Sequence, residues 1–450
     1  MILLRSLQLL LVSVLRHLSK LRIKVLAVSP RFAPTNGADT HRLRLLLRQA
    51  AASGWQVVVL AVDSMDVVGP VDAWLEENLP ADVPVHTVRA WRLKGWGLNG
   101  LAQRSFWPLY RKGGELLATG RFDLVFFSTT EFALHVLGPL WKRRYGVPFC
   151  MDYQDPWVND YYRNHPEVVP PGGRFKYAIA DLLHRAMERH VVRACSGFMA
   201  VSQMYLADLE KRYGNRVEGK PMLVRPFPAE PDELDTFRKN AMSDNTDKAT
   251  MVWRYIGRGG ADMAKAASAF FNAWQRALDE KTLAPGAVRF EAEGTSYAAT
   301  GKGAKTFEPL VAGTELAVSV LENPDRLGYS EMLRKLMESD ALVVFGSDDP
   351  AYTASKIYPY LLAGKPLLAI FHENSSVVQL MREVGGGVCV AFNERTTQEE
   401  LAASIGEAWF ASRQYQQAIP LDAKAFEPYT ARTQAWDVGE WFGKILAQTS

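Results

Sequence analysis

The chain has 450 residues, 48% of them hydrophobic and 22% charged, which is the make-up of a folded protein and excludes a disordered one. Single cores stop growing at roughly 250–300 residues, so two domains are expected. Lys and Arg number 52 against 49 Asp and Glu, a net charge of +3; this is too small for a surface that tracks nucleic-acid phosphates, and no nucleic-acid partner is expected.

At the start, Leu3, Leu4, Leu7, Leu10, Leu11, Val14, Leu15 and Leu18 recur at helical spacing, with Arg5, Arg16, Lys20 and Arg22 among and beside them. The uncharged run from Ser6 to Leu15 is about half of the roughly 20 residues that a spanning helix needs, and no small-residue cleavage site follows it. Residues 1–22 therefore read as an amphipathic N-terminal helix, with two readings open: peripheral contact with an anionic membrane, or packing on its own domain. Cys150, Cys195 and Cys389 are few, far apart and set in apolar surroundings, as expected of reduced thiols in a cytoplasmic protein.

From Ile23 short apolar runs alternate with helical patterns, the signature of a parallel sheet with helical crossovers. The first candidate strands are Ile23–Ser29, Gln56–Val62, Val83–Ala90, Phe122–Ser128, Phe149–Tyr153, Gly197–Val201 and Met222–Val224, with helices such as His41–Ala52 and Glu131–Tyr145 between them. They make one Rossmann-like domain, residues 23–227. A polar, acidic stretch, 228–249, reads as a linker. The alternation restarts at Met251–Ile256, Val288–Glu293, Leu316–Val320, Ala341–Phe345, Pro366–Phe371 and Gly387–Ala391, with a helix at Tyr329–Glu338, a second Rossmann-like domain over 250–425. The final segment, 426–450, carries Trp436, Phe442 and Leu446 at helical spacing and no strand after it; it is expected to cross back to the first domain. The expected fold is α/β, two tandem Rossmann-like domains facing a cleft. Open α/β sheets bind ligands at the carboxyl ends of their strands, so the loops there carry the chemistry.

The loop after the first strand includes Asn36, Gly37 and Arg42 at a helix start, a backbone approach and anion-attracting terminus that suits an acceptor or cleft loop. It lacks GxGxxG, which argues against a dinucleotide cofactor; an ordinary turn with Arg42 on the surface is the other reading. The fifth strand ends in Asp152-Tyr-Gln154-Asp155-Pro156-Trp157, and a strand-end Asp that merely caps a turn stays open here too. The second domain opens on Gly257-Arg258-Gly259-Gly260, small residues and a forked donor suited to a diphosphate. Further on, Asp348-Asp349-Pro-Ala-Tyr352-Thr-Ala-Ser355-Lys356-Ile-Tyr-Pro-Tyr leads to Leu-Leu-Ala-Gly364-Lys-Pro366.

Asp152–Trp157 resembles the D-x-R-D-P-W element of retaining glycosyltransferases of the GT-B fold, the broad family 4 type, with Gln154 for the usual Arg. The Ser355-to-Pro366 segment resembles the donor-binding helix of the same family. The resemblance implies a metal-independent, retaining glycosyltransferase, hexosyltransferase-like, that needs no cofactor. It would take a nucleotide-diphosphate sugar as co-substrate and a glycan or lipid-linked acceptor, as in polysaccharide biosynthesis. It implies catalytic roles for Asp155 and His135, and donor binding by Gly257, Arg258, Gly259, Gly260, Asp349, Tyr352, Ser355 and Lys356. No Asp-x-Asp triplet of the metal-dependent transferases occurs. The family's paired glutamates are replaced by Ala351 and Pro359; Asp348 or Asp349 either stands in or sits in a solvated turn. Lys265 is a possible second cation, and Glu188 reads as structural. A sugar-nucleotide epimerase of the same fold and a non-catalytic nucleotide-sugar-binding scaffold are the alternatives.

Overall fold

The computed structural model describes residues 22–92, 100–164, 169–170, 173–241, 250–349 and 355–449, which divide into two compact units. Unit 1 is formed by the chain up to Pro228 together with Ala431 onward, and unit 2 by Ala229–Thr430. The N-terminal amphipathic segment, apart from Arg22, and Tyr352 lie outside the described residues.

In unit 1 the strands β1 (Ile23–Val28), β2 (Trp55–Val62), β3 (Val85–Val88), β4 (Leu124–Ser128), β5 (Phe149–Tyr153), β6 (Gly197–Ala200) and β7 (Met222–Val224) form a seven-stranded sheet ordered β3-β2-β1-β4-β5-β6-β7. Every pairing is parallel, with Val25–Val28 of β1 opposite Leu124–Phe127 of β4. The central strands are apolar on both faces because helices cover both, as parallel sheets require. The order reverses between β1 and β4, which places a crevice outside the carboxyl ends of those two strands.

Unit 2 repeats the plan with β8 (Met251–Ile256), β9 (Val288–Glu293), β10 (Val320–Asn323), β11 (Ala341–Phe345), β12 (Leu367–His372) and β13 (Val388–Phe392), ordered β10-β9-β8-β11-β12-β13 and again parallel. Its switch point lies between β8 and β11. Trp253 on β8 packs against Phe270, Trp274, Trp409 and Phe410 beneath the sheet.

The last helix, Ala431–Thr449, belongs to unit 1. Trp441 and Phe442 are buried against Phe126, and two indoles anchor the helix: Trp55 Nε1 donates to Ala435 O (3.0 Å) and Trp441 Nε1 to Pro221 O (3.0 Å). A Cβ at Gly439 would stand 2.7 Å from Ser53 O, so glycine sets how closely this helix approaches. Large side chains buried so fully contribute about 1.5–3 kcal/mol each. The apolar stripe is not the expected one: Trp436 is exposed, and Ala435, Val438, Trp441, Phe442 and Ile445 face inward.

Other local expectations shift. The stretch read as a linker is helical over Pro231–Ala241: Pro at the first position and Asp232 and Glu233 in the first turn favour a helix start. Within unit 2, Glu233 accepts from Tyr329 Oη (2.8 Å) and Arg238 Nη2 donates to Leu362 O (3.0 Å). The return to unit 1 comes at Ala431, not at 426, since Phe426 is buried beside Tyr358 of unit 2. The strand expected at Leu316–Val320 is a 3-10 turn, Glu315–Val318, which the Thr314 side chain caps; β10 follows it. The helix expected from Glu131 begins as a 3-10 turn, Phe132–Val136, and is α-helical over Leu137–Tyr145. Cys150 and Cys195 are buried and Cys389 half-buried, all as free thiols. Among the described residues no helix is long and apolar enough to cross a membrane.

Candidate functional site

In unit 2 the switch point gathers the cations. After β8 the chain turns at Gly257, whose φ of +148° suits glycine and where a Cβ would meet Lys356 Nζ at 2.8 Å. Lys356 precedes the short helix Ile357–Ala363, and Tyr360 of that helix donates from its hydroxyl to Ile256 O (3.0 Å), tying the helix to the end of β8. Lys356 is half-buried; its ammonium donates to Tyr255 Oη and lies 4.1 Å from that ring's centroid. Burial, then the nearby charges of Arg258 and Arg326, hold its pKa well below the ordinary lysine value.

Arg258 is gripped by Asp262, Nη1 to Oδ1 at 3.0 Å and Nη2 to Oδ2 at 2.8 Å. That bond, foremost, lowers the Asp262 pKa. Asp262 O accepts from Asp348 N–H (2.8 Å), which joins the β8 and β11 loops. Arg326, after β10, stacks over Tyr297 at 4.7 Å. The sequence reading missed Arg326, because a lone exposed Arg beyond an edge strand carries no local signature.

The glycine turn differs from expectation in one respect. Gly257 N–H donates to Glu293 O (2.9 Å) and Gly259 N–H to Thr295 O (2.7 Å), so these two amides serve the backbone and are not open to a diphosphate. Gly259 packs against Thr306, and Gly260 lies beside Asp262 and Arg258. The neighbouring loop is held by Glu322, also missed: its carboxylate accepts from the N–H groups of Thr306, Phe307 and Glu308 and from Thr295 Oγ1. Ser355 is half-buried before Lys356, and Asp349 is exposed with its N–H on Ser347 Oγ (3.0 Å). Asp348 is exposed, and partial shielding raises its pKa against the opposing charge of Lys265. Lys265 itself is spent on Asn393 O (2.7 Å) and lies over the Phe392 ring.

In unit 1 the switch point gathers carboxylates. Asp39, buried at the start of the helix Ala38–Ala50, accepts from Thr129 Oγ1 (2.8 Å), Thr130 N (3.1 Å) and Thr130 Oγ1 (2.9 Å) at the end of β4. Burial outweighs those bonds and raises its pKa. Asp155 is exposed beyond β5, and its pKa is raised by partial shielding and then by the charge of Asp39. Asp39 went unnoticed in the sequence because its partners lie 90 residues away. Asn36 and Gly37 lie in the loop between β1 and this helix, with Asn36 Oδ1 on His41 Nε2 (2.8 Å).

Two expected residues are corrected. Arg42 neither lines an open loop nor lies on the surface. It is fully buried, pairing Nε to Asp152 Oδ2 (2.8 Å) and Nη2 to Oδ1 (3.1 Å), and it also donates to Pro226 O. Asp152 further accepts from Ser128 Oγ (3.2 Å), which accepts from Gln154 Nε2 (3.1 Å); the first aspartate of the motif is thus structural. His135 is fully buried among Phe127, Phe132 and Trp157, with Nδ1 on Phe132 O (2.9 Å). Burial lowers its pKa to about 4, so it is a neutral packing residue at physiological pH. Glu188 is buried on Tyr153, Tyr213 and Arg212. Among the described residues no three His, Cys, Asp or Glu side chains form a metal-ligating group.

Residues 37–226 match the model of the glycosyl transferase 4-like domain family. No curated protein matches the chain. Several solved structures share its fold, three of them as follows. Anabaena HepE in complex with UDP and glucose has a TM-score of 0.56 at 14% identity, covering 94% of this chain and all of its own. A glycosyltransferase from Rickettsia africae scores 0.58 at 12% identity, covering 94% and 99%. The α,α-trehalose 6-phosphate synthase of Burkholderia multivorans scores 0.56 at 12%, covering 95% and 100%. The two parallel sheets are those of the GT-B fold.

Proposed function

We propose that this chain, a glycosyltransferase by its glycosyl transferase 4-like domain at residues 37–226, moves a sugar from a nucleoside diphosphate donor bound by unit 2 to a glycan or lipid-linked acceptor bound by unit 1. The observation that carries this reading is the placing of Lys356 and Arg258 at the switch point of unit 2, joined through Tyr255, whose hydroxyl accepts from Lys356 Nζ and donates to Arg258 O, with the charge of Arg326 from the loop after β10 also bearing on the lysine. Like charges held together in a partly dry site are relieved by a polyanion, and a departing diphosphate is where negative charge accumulates in sugar transfer.

The bond from the sugar's anomeric carbon to the diphosphate breaks as the acceptor oxygen bonds to that carbon, and the acceptor's hydroxyl proton passes to the departing diphosphate. Retention of configuration and metal independence are part of this proposal, supported by the resemblance of Asp152–Trp157 and by the cations that can replace a metal's charge. No cofactor is required. We assign Asp155 to hydroxyls of the reacting sugar, on the strength of its exposure at the carboxyl edge of the sheet.

Because a solved relative of the same fold carries UDP and glucose, UDP-glucose is the first donor to try, followed by other nucleoside diphosphate sugars. The test is product analysis after incubation: sugar transfer or slow donor hydrolysis supports the proposal. An epimerised nucleotide sugar, or binding with no turnover of any donor, would replace it with the epimerase or the scaffold.

A further inference from the structure

The helix Arg174–Ala194 spans 21 residues, and its two faces differ in an unexpected way. Asp181, Glu188, Val191 and Val192 are buried. On the other side Phe175 (79% exposed), Ile179 (55%), Leu182 (70%) and Leu183 (56%) stand in water. Their spacing puts them on one face over more than two turns. Scattered exposed apolar residues need no explanation, but four large ones in a single stripe mark an interaction surface.

The charges around the stripe restrict what it can meet. Both acids of the helix are buried and satisfied: Asp181 by Arg163 and Arg185, Glu188 by Tyr153, Tyr213 and Arg212. The charged side chains that the helix exposes are cations, Arg174 and Lys176 at the level of Phe175 and Arg189 and Arg193 farther along. Beside the stripe lies a cavity of about 300 Å³, lined by Arg163, Arg174, Tyr162, Tyr177 and Asp181. Apolar side chains bordered by cations are the make-up of a helix that lies in the boundary between headgroups and acyl chains.

We propose that the Phe175–Leu183 face docks unit 1 on an anionic phospholipid bilayer, with the four apolar side chains entering the interface and Arg174 and Lys176 on lipid phosphates. Charge complementarity favours the bilayer: a second copy of this chain would bring the same cations against these and repel. The surface is independent of the donor reading and of residues 1–22.

The test is co-sedimentation of the full chain with phosphatidylcholine vesicles in which roughly a third of the lipid is phosphatidylglycerol, at low salt. The unaltered chain is expected to bind these vesicles and not pure phosphatidylcholine. The variant F175Q/I179Q/L182Q/L183Q, with unchanged melting temperature and donor hydrolysis, is expected to lose about tenfold or more in partitioning. R174E/K176E is expected to bind more weakly at low salt. Three results overturn the proposal: no vesicle binding by the unaltered chain; loss of binding only in L4Q/L7Q/L11Q, which would assign the membrane to the N-terminal segment; or a dimer by sedimentation that the four-glutamine variant dissolves while vesicle binding persists.

Discussion

Lys356 Nζ stands 4.1 Å from the ring centroid of Tyr255 and donates to its hydroxyl, which in turn donates to Arg258 O. The tyrosine thus links both candidate phosphate cations. Lys356→Ala should weaken binding of the nucleoside diphosphate by about tenfold to a hundredfold, the worth of a charge-assisted bond at roughly 1.5–3 kcal/mol, and Arg258→Ala by a similar factor. Tyr255→Phe keeps the ring and removes the link, so a smaller loss is expected. Titration calorimetry with UDP checks all three; unchanged affinity in both Lys356→Ala and Arg258→Ala removes the assignment.

The depressed pKa of Lys356 gives binding a pH signature. A diphosphate favours the ammonium, so its pKa rises on binding and the complex takes up a proton at pH values between the two. Affinity should fall as pH rises through that window. Calorimetry in buffers of different ionisation enthalpy reports the proton directly, and Lys356→Met should abolish the uptake.

Asp155 and Asp39 should separate by what they damage. Asp155→Asn keeps shape and removes charge at an exposed position, so turnover should fall with the melting temperature nearly unchanged. Asp39→Ala removes the acceptor of three hydrogen bonds in a buried place and should cost a few kcal/mol of stability. Full activity with a lowered melting temperature in Asp155→Asn would make that residue structural.

Arg42→Met leaves Asp152 as a buried carboxylate stripped of its ion-pair partner. Breaking such a pair costs about 3–5 kcal/mol, a large share of the stability of an ordinary domain. Denaturant unfolding should show it, whereas the KM for the acceptor in the folded fraction should be unchanged.

His135 contributes a pH dependence of stability. Its folded-state pKa of about 4 lies below the ordinary 6.5, so between those values the unfolded chain binds the extra proton. Stability is present above pH 6.5 and is lost as pH falls toward 4, by about 3 kcal/mol for this group. His135→Phe, which keeps an aromatic ring in the stack, should flatten that part of the curve measured by denaturant unfolding at successive pH values.

Much of the architecture was legible in the residues alone. Buried parallel strands read as short apolar runs such as Val25–Val28 and Ala341–Phe345, and the glycine and proline at 364 and 366 mark a helix end before a strand; both signals are local, set by backbone conformation and burial of neighbours in the chain. The residues 152–157 close β5 and lead into the loop after it, as the apolar run before them implied. What the sequence could not assign was which of its polar residues face water. Asp152 and Asp155 look alike in a line of letters, yet one neutralises Arg42 in the core and the other is exposed.

The tertiary structure decided the rest, because burial and pairing depend on residues distant in the chain. Asp39 meets Thr129 only because β1 and β4 are neighbours at the reversal of strand order. Arg258 and Lys356, 98 positions apart in the sequence, influence each other's charge because β8 and β11 pair at the second reversal. The carboxylates and cations therefore collect where sheet topology leaves an open crevice, and electrostatic interaction depends on distance in space, which local sequence pattern does not encode.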